Sequence, residues 1–415
     1  MLVRLKRCIK HYLILRDKMV YHALGLSMHQ PLGNLLGLHN SEESWEAKQI
    51  LWAYDRPTRA IEGYEDVAKL HISFSGTLLK QFEDPAIRET FHDVIDIEDM
   101  LRRYRKSNIE FLGTGLYHPI YPLTPKEDWD AHTAWWIGLG RALLGRKDFN
   151  GFYPPEMGFC MEMIPMLKKY GYKYVIVDCW YIKPKREMRW EELRYRPYRA
   201  CYDNEEIIVV PCDRGLSNAQ ASGLDPGWFK YEVAQRTKWC DFPALVTTWS
   251  DGENGGWFRN TNVEANFWGH FYRPILDDYK AGKLGFTPIH ISDYLKKFAP
   301  KEEVEVYPGA WNTGEHWGGD FTQWTGSLLQ KRGWDEIRNA SAYYHRVKMT
   351  FEQSRKEIRD PEDVKNLIIN AYDHLLMAET SCNFYWGSRW VYRAFDEIEK
   401  AYRLLDQAIS QIPKK

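Results

Sequence analysis

The sequence predicts an α/β protein: a closed barrel of about seven strand–helix units, followed by a C-terminal helical region. Three observations predict it. Short apolar runs such as YVIVD (174–178) and EIIVVP (206–211) are near-continuous, as expected of parallel strands covered on both faces. Amphipathic helical stretches alternate with such runs from residue 20 to about residue 298, the signature of βαβ units. Beyond about Leu328 the strand signals stop and the pattern turns helical. Periodicity alone leaves an open, doubly wound sheet as the alternative to a TIM-like barrel.

Seven strands are expected, at 21–27, 70–75, 109–113, 174–178, 207–211, 245–249 and 287–291. Asn40 with Glu43 resembles a capping box opening a helix over 42–54. Pro57 reads as the first residue of another helix, over 57–70, and 126–145 as a third. Each strand end runs into an unusual loop, among them SMHQPLGN, GTGLYHPIYP, FYPPEMGF and TWSDGENGGWF. In barrel enzymes the active site is built from loops at that rim. These signals divide the chain into a catalytic barrel over 20–300 and a region over 301–415. The second region is a Trp/Gly-rich loop and then a helical bundle packed on the barrel, because an isolated amphipathic helix is marginal in water.

Lys and Arg (56) nearly balance Asp and Glu (57), and no basic block occurs, which argues against a nucleic-acid partner. No apolar run approaches the roughly 20 residues of a membrane span. Seven cysteines, an odd number without a C-x-x-C pair, read as reduced thiols of a cytoplasmic protein. The start is basic, but its apolar stretch, Tyr12 to Leu15, is shorter than a signal peptide's apolar region, and Met19 is the expected translation start. The 18 Trp and 26 Tyr stand out, since flat rings with polar edges suit amphipathic ligands such as sugars; an aromatic-rich core gives the same count.

Two carboxylates carry the candidate chemistry. Glu156 follows Pro154 and Pro155 and sits among Phe152, Tyr153, Met157 and Phe159; Asp251 closes the run ALVTTW and precedes a Gly-rich loop. Apolar surroundings favour a carboxyl's neutral form, and glycines admit a substrate to the backbone. Paired carboxylates with separated proton affinities are the usual machinery of glycoside hydrolysis. The structural alternative is that Asp251 caps a loop and Glu156 pairs with an arginine.

In order along the chain, MHQPLGN (28–34), GLYHPIYPL (115–123), FYPPEMGF (152–159) and WSDGENGGWF (249–258) resemble the first four motifs of glycoside hydrolase family 57, with GAWNTGEHW in place for the fifth. That family acts on α-glucans and includes amylases, 4-α-glucanotransferases and branching enzymes. The resemblance implies a (β/α)7 barrel, a retaining mechanism without a cofactor or metal, Glu156 as nucleophile and Asp251 as general acid/base. Retention demands carboxyl groups about 5–5.5 Å apart, which only the fold can arrange for residues so distant in sequence. The expected partner is an α-linked oligo- or polysaccharide, α-1,4-glucan or malto-oligosaccharide. His29, His118, Glu253, Trp257, Trp311, Trp317 and Trp324 are the substrate-binding candidates. Ser27 departs from the motif, where a second His is common. The competing readings are an α-galactosidase of the same family, a metal-dependent polysaccharide deacetylase and a non-catalytic glucan-binding relative. No G-x-S-x-G or G-x-x-x-x-G-K-[ST] occurs.

Overall fold

The computed structural model describes residues 19–311 and 321–413. Seven parallel strands close into a barrel: β1 (Val20–Met28), β2 (Leu70–Phe74), β3 (Glu110–Leu112), β4 (Gly151–Phe152), β5 (Tyr174–Asp178), β6 (Glu205–Cys212) and β7 (Ala244–Asp251). Strand β1 pairs with β2 on one edge and with β7 on the other, where Ser27 lies opposite Asp251. Strand β2 pairs with β3, β4 with β5 and β5 with β6. Two joints complete the circle. Gly113 bridges to Phe152 between β3 and β4, and Asp213 N–H donates to the Thr247 carbonyl (2.9 Å) between β6 and β7.

The expected number of strands is found, but the set differs. The seventh is β4, only two residues long, and it was not expected. The apolar segment at 287–291 contributes just Thr287–Pro288, which pairs with Tyr21 and His22 below the start of β2. Two helix expectations also need correction. Helix α1 runs Ser44–Ala60 straight through Pro57, with Glu43 as its N-cap and no capping box; Asn40 instead ends a short helix, Asn34–His39. Residues 61–69 form turns rather than continuing a helix to Leu70. Helix α2 (Lys126–Leu144) ends as its sequence promises, at Gly145 with φ 63°.

Side chains fill the barrel interior. Ala23, Leu112, Tyr174, Ile176, Val210, Leu245 and Trp249 form one buried cluster there. Trp249 fits because its neighbour on β1 is glycine: a Cβ on Gly25 would lie 1.9 Å from the indole. A larger cluster packs the surrounding helices onto the strands.

Beyond the barrel come α3 (Leu328–Ser354), α4 (Pro361–Ala378) and α5 (Ser388–Ser410). They pack on one another and dock on α2 through polar groups. Asp128, fully buried, accepts from Ser341 Oγ (2.6 Å) and Tyr372 Oη (2.9 Å) and contacts His345 Nε2 (2.9 Å). His132 meets Glu379 at 2.7 Å. No described helix is long and apolar enough to cross a membrane. The segment upstream of Met19 lies outside the described residues.

Candidate active site

The loops at the carboxyl ends of the strands enclose a cavity of about 260 Å³. Six of the candidate residues line it: Glu156 and Asp251, with His29, His118, Glu253 and Trp311. Asp251 is the last residue of β7, so the strand itself aims it at the rim. Glu156 sits three residues beyond Tyr153, whose N–H is anchored on Gly113 (2.8 Å).

The backbone here is strained. His118, Glu156 and Met157 all line the cavity, and all have positive φ (54°, 57° and 51°). Such conformations cost non-glycine residues of order 1–3 kcal/mol each and persist only where the surroundings impose them. They turn the Glu156 carboxylate toward three partners. Ser381 Oγ donates to Oε1 (3.0 Å), Trp311 Nε1 donates to Oε2 (2.6 Å), and His118 Nε2 lies 3.3 Å from Oε1. Burial alone raises a carboxyl's proton affinity, but these three outweigh it and hold Glu156 below the usual range. No arginine is among these partners.

Asp251 has the opposite environment. Burial pushes it up to about 6; the amide of Asn254, donating to Oδ2 (2.9 Å), opposes the rise and the charge of Glu156 adds to it. One carboxylate is therefore held ionised while its neighbour keeps its proton up to about pH 6. Glu253 accepts from the His29 N–H (3.2 Å), and burial followed by the charge of Asp251 lifts it well above the usual range. His29 stacks on His118, ring centroids 3.7 Å apart, and touches Cys382 Sγ (3.1 Å); burial, then His118, lowers its basicity strongly. Trp249, stacked on Tyr153 at 4.8 Å, lines the barrel side of the cavity.

Two candidate tryptophans stand elsewhere. Trp257 donates to the Gln220 carbonyl (3.1 Å) and packs with Phe258, Phe267 and Phe271, bracing the β7 loop from outside the cavity. Trp324 is fully buried under Trp334, which donates to its carbonyl (3.1 Å). Neither presents a ring to the cavity, so the expectation that they stack on sugar is corrected. Trp317 lies outside the described residues. Conversely, sequence reasoning missed the turn between α4 and α5, where Cys382, Tyr385 and Trp386 line the cavity and Ser381 reaches Glu156. Their signal was the break TSCNFYWG between two long amphipathic helices. Among the described residues no cluster of three or more His, Cys, Asp or Glu is arranged to hold a metal ion.

A parallel barrel with two partly buried carboxylates of opposed proton affinity at its carboxyl-terminal rim defines a paired-carboxylate barrel protein. The chain belongs to glycosyl hydrolase family 57, whose sequence profile matches residues 23–307. It is 28% identical over 343 residues to an α-amylase of Pyrococcus furiosus (81% of this chain, 46% of the relative). To an α-amylase of Pyrococcus horikoshii it is 25% identical over 285 residues (67% of this chain, 40% of the relative). The chain thus spans less than half the length of these curated relatives. Among solved structures it resembles a branching enzyme of Thermococcus kodakaraensis (TM-score 0.73, 15% identity, 95% of this chain and 91% of that one). It also resembles a 4-α-glucanotransferase of Thermococcus litoralis (TM-score 0.63, 21% identity, 93% of this chain and 60% of that one). At such identities the structural likeness speaks for the (β/α)7 fold alone.

Proposed function

We propose that the protein is a retaining glycosidase or transglycosidase acting on α-1,4-glucans or malto-oligosaccharides, with Glu156 as nucleophile and Asp251 as general acid/base. The observation that carries this reading is the split in proton affinity between two carboxyls facing one cavity. An ionised Glu156 attacks the anomeric carbon while protonated Asp251 delivers its proton to the departing oxygen, leaving a covalent glycosyl-enzyme. Asp251, now a base, takes a proton from water or from an incoming sugar hydroxyl as that oxygen displaces Glu156. Neutralising Glu156 in the intermediate removes the charge that helped hold the proton on Asp251, so its affinity falls when a base is required. His29, His118 and Glu253 supply polar contacts around the reacting sugar, and Trp311 orients Glu156 through its indole N–H. The reduced cysteines fit a cytoplasmic setting.

Incubation with maltoheptaose tests the reading. Longer and shorter products together mean transfer; shorter ones alone mean hydrolysis. Glu156→Ala and Asp251→Ala should each lose most turnover while keeping the wild-type circular dichroism spectrum. Azide should rescue Glu156→Ala by attacking from the vacated face, giving a glycosyl azide of inverted configuration. Near-wild-type turnover in either variant moves the catalytic assignment elsewhere.

A further inference from the structure

We propose that a substrate groove leaves the catalytic cavity and continues into a second recess walled by Trp180 and Trp190, where further glucosyl units of the same α-glucan chain bind. The inference rests on the glucan-active reading above and adds the place where a longer substrate is held. The recess has a volume of about 270 Å³ and adjoins the cavity, with Arg214 and Asn218 lining both. Trp180 and Trp190 are 48% and 43% exposed. Two half-open indoles in one recess keep apolar surface in water that folding ordinarily buries. The recess beside Trp390, of similar size, shares no residue with the catalytic cavity.

Each indole is held by a guanidinium. Arg214 sits 5.0 Å from the Trp180 ring centroid and Arg194 4.3 Å from that of Trp190. Arg214 is itself fixed by Asp178, the last residue of β5, at 2.7 Å. One arginine therefore ties a barrel strand end, the cavity wall and the first aromatic plate together. Such stacking stiffens the plate before any ligand arrives, so less entropy is lost on binding. The remaining walls are polar: the exposed amide of Asn218, and Arg236, whose guanidinium pairs with Asp213 (3.2 Å). An apolar plate with a hydrogen-bonding rim matches a pyranose, which offers a C–H face and a hydroxyl edge. An apolar protein segment would bury the Asn218 amide without a partner. The walls shared with the catalytic cavity make the occupant the distal part of the chain whose bond is being processed.

The test is calorimetric binding of maltotriose and maltoheptaose to the Glu156→Gln protein, alone and with Trp180→Ala or Trp190→Ala added. An aromatic contact of this kind is worth about 0.5–1.5 kcal/mol, so each substitution should weaken maltoheptaose about two- to tenfold. Maltotriose, the shorter chain, should change by less than about twofold. Trp190→Tyr should restore most of the loss, separating a stacking role from a folding defect. Trp228→Ala, an exposed indole lining neither recess, should change neither ligand. Equal losses for both ligands, or none for maltoheptaose, overturn the groove while leaving the glucan reading intact. A Glu156→Gln protein that binds neither sugar, with a wild type that turns over neither, overturns the glucan reading and the groove with it.

Discussion

The proton on Asp251 is set by burial and by three groups that pull in different directions: Asn254 and His118 favour the ionised form, and the charge of Glu156 opposes it. Turnover needs Glu156 ionised and Asp251 protonated, so kcat/KM should rise with pH through the lowered pKa of Glu156 and fall through the value near 6 of Asp251. Asn254 stabilises the ionised form of Asp251, so Asn254→Ala should move the alkaline limb upward. A hydrogen bond to a charged group is worth about 1.5–3 kcal/mol when buried; Asn254 is exposed, and a shift of about half to one pH unit is expected. A limb that stays in place or moves down would show that another group titrates there. Ser381→Ala removes a donor to ionised Glu156 and should raise the acid limb, toward neutral pH. The residue types of this site were legible in the sequence, because Glu156, Asp251, His29, His118 and Glu253 lie in short motifs. Their roles as donors and acceptors were not. Trp311 reads as a sugar platform, yet its indole N–H is committed to Glu156 at 2.6 Å, a contact across 155 positions that no local pattern encodes.

The strands show where sequence reading reaches its limit among elements. Runs of five or more apolar residues, such as β5 and β6, were found because burial on both faces leaves them no polar partners. Strand β4 is two residues long and glycine-led; it is held by its neighbours through Gly113 and Tyr174, not by its own propensity. Helix α1 defeats the usual rule for proline. Its turn at Pro57 is packed on the core, with Tyr54, Asp55, Thr58 and Ala60 buried around it, and that burial outweighs one lost hydrogen bond. Glycine has a strict role in β1. Gly25→Ala places a methyl group inside the Trp249 ring, so one of the two elements must move. It should destabilise the barrel by about 3 kcal/mol or more, read from the urea midpoint. Gly25→Ala combined with Trp249→Leu should cost clearly less than the sum of the two single changes. Gly37→Ala, in an open helical position, should be neutral or slightly stabilising. Additive losses in the double variant would mean that Gly25 matters for backbone reasons and not for the indole.

At the scale of the whole molecule, the helical region docks on the barrel and also completes its site, and separate residues perform these two tasks. Docking centres on Asp128 of α2, a fully buried carboxylate facing Ser341, His345 and Tyr372. Burial alone would raise its pKa, yet His345 and Ser341 together with Tyr372 hold it below the usual value. A carboxyl depressed in the folded state stabilises above its unfolded pKa and loses that contribution as pH falls through the folded one. The docking contribution should therefore be present at neutral pH and weaken in acid. Completion of the site falls to the turn after α4, where the Ser381 N–H holds the His118 carbonyl (3.1 Å) and its hydroxyl reaches Glu156. Asp128→Ala strands two hydroxyls and an imidazole in the interface, and at pH 7 it should cost about 3–5 kcal/mol of stability. Tyr372→Phe, which leaves the carboxylate two partners, should cost about 1 kcal/mol. Ser381→Ala should stay within about 1 kcal/mol of wild type by the same denaturation measurement and reveal itself only in the pH profile. If Asp128→Ala is nearly neutral, the bundle is held by its apolar contacts; if Ser381→Ala unfolds the protein, its hydroxyl serves the interface and not the nucleophile.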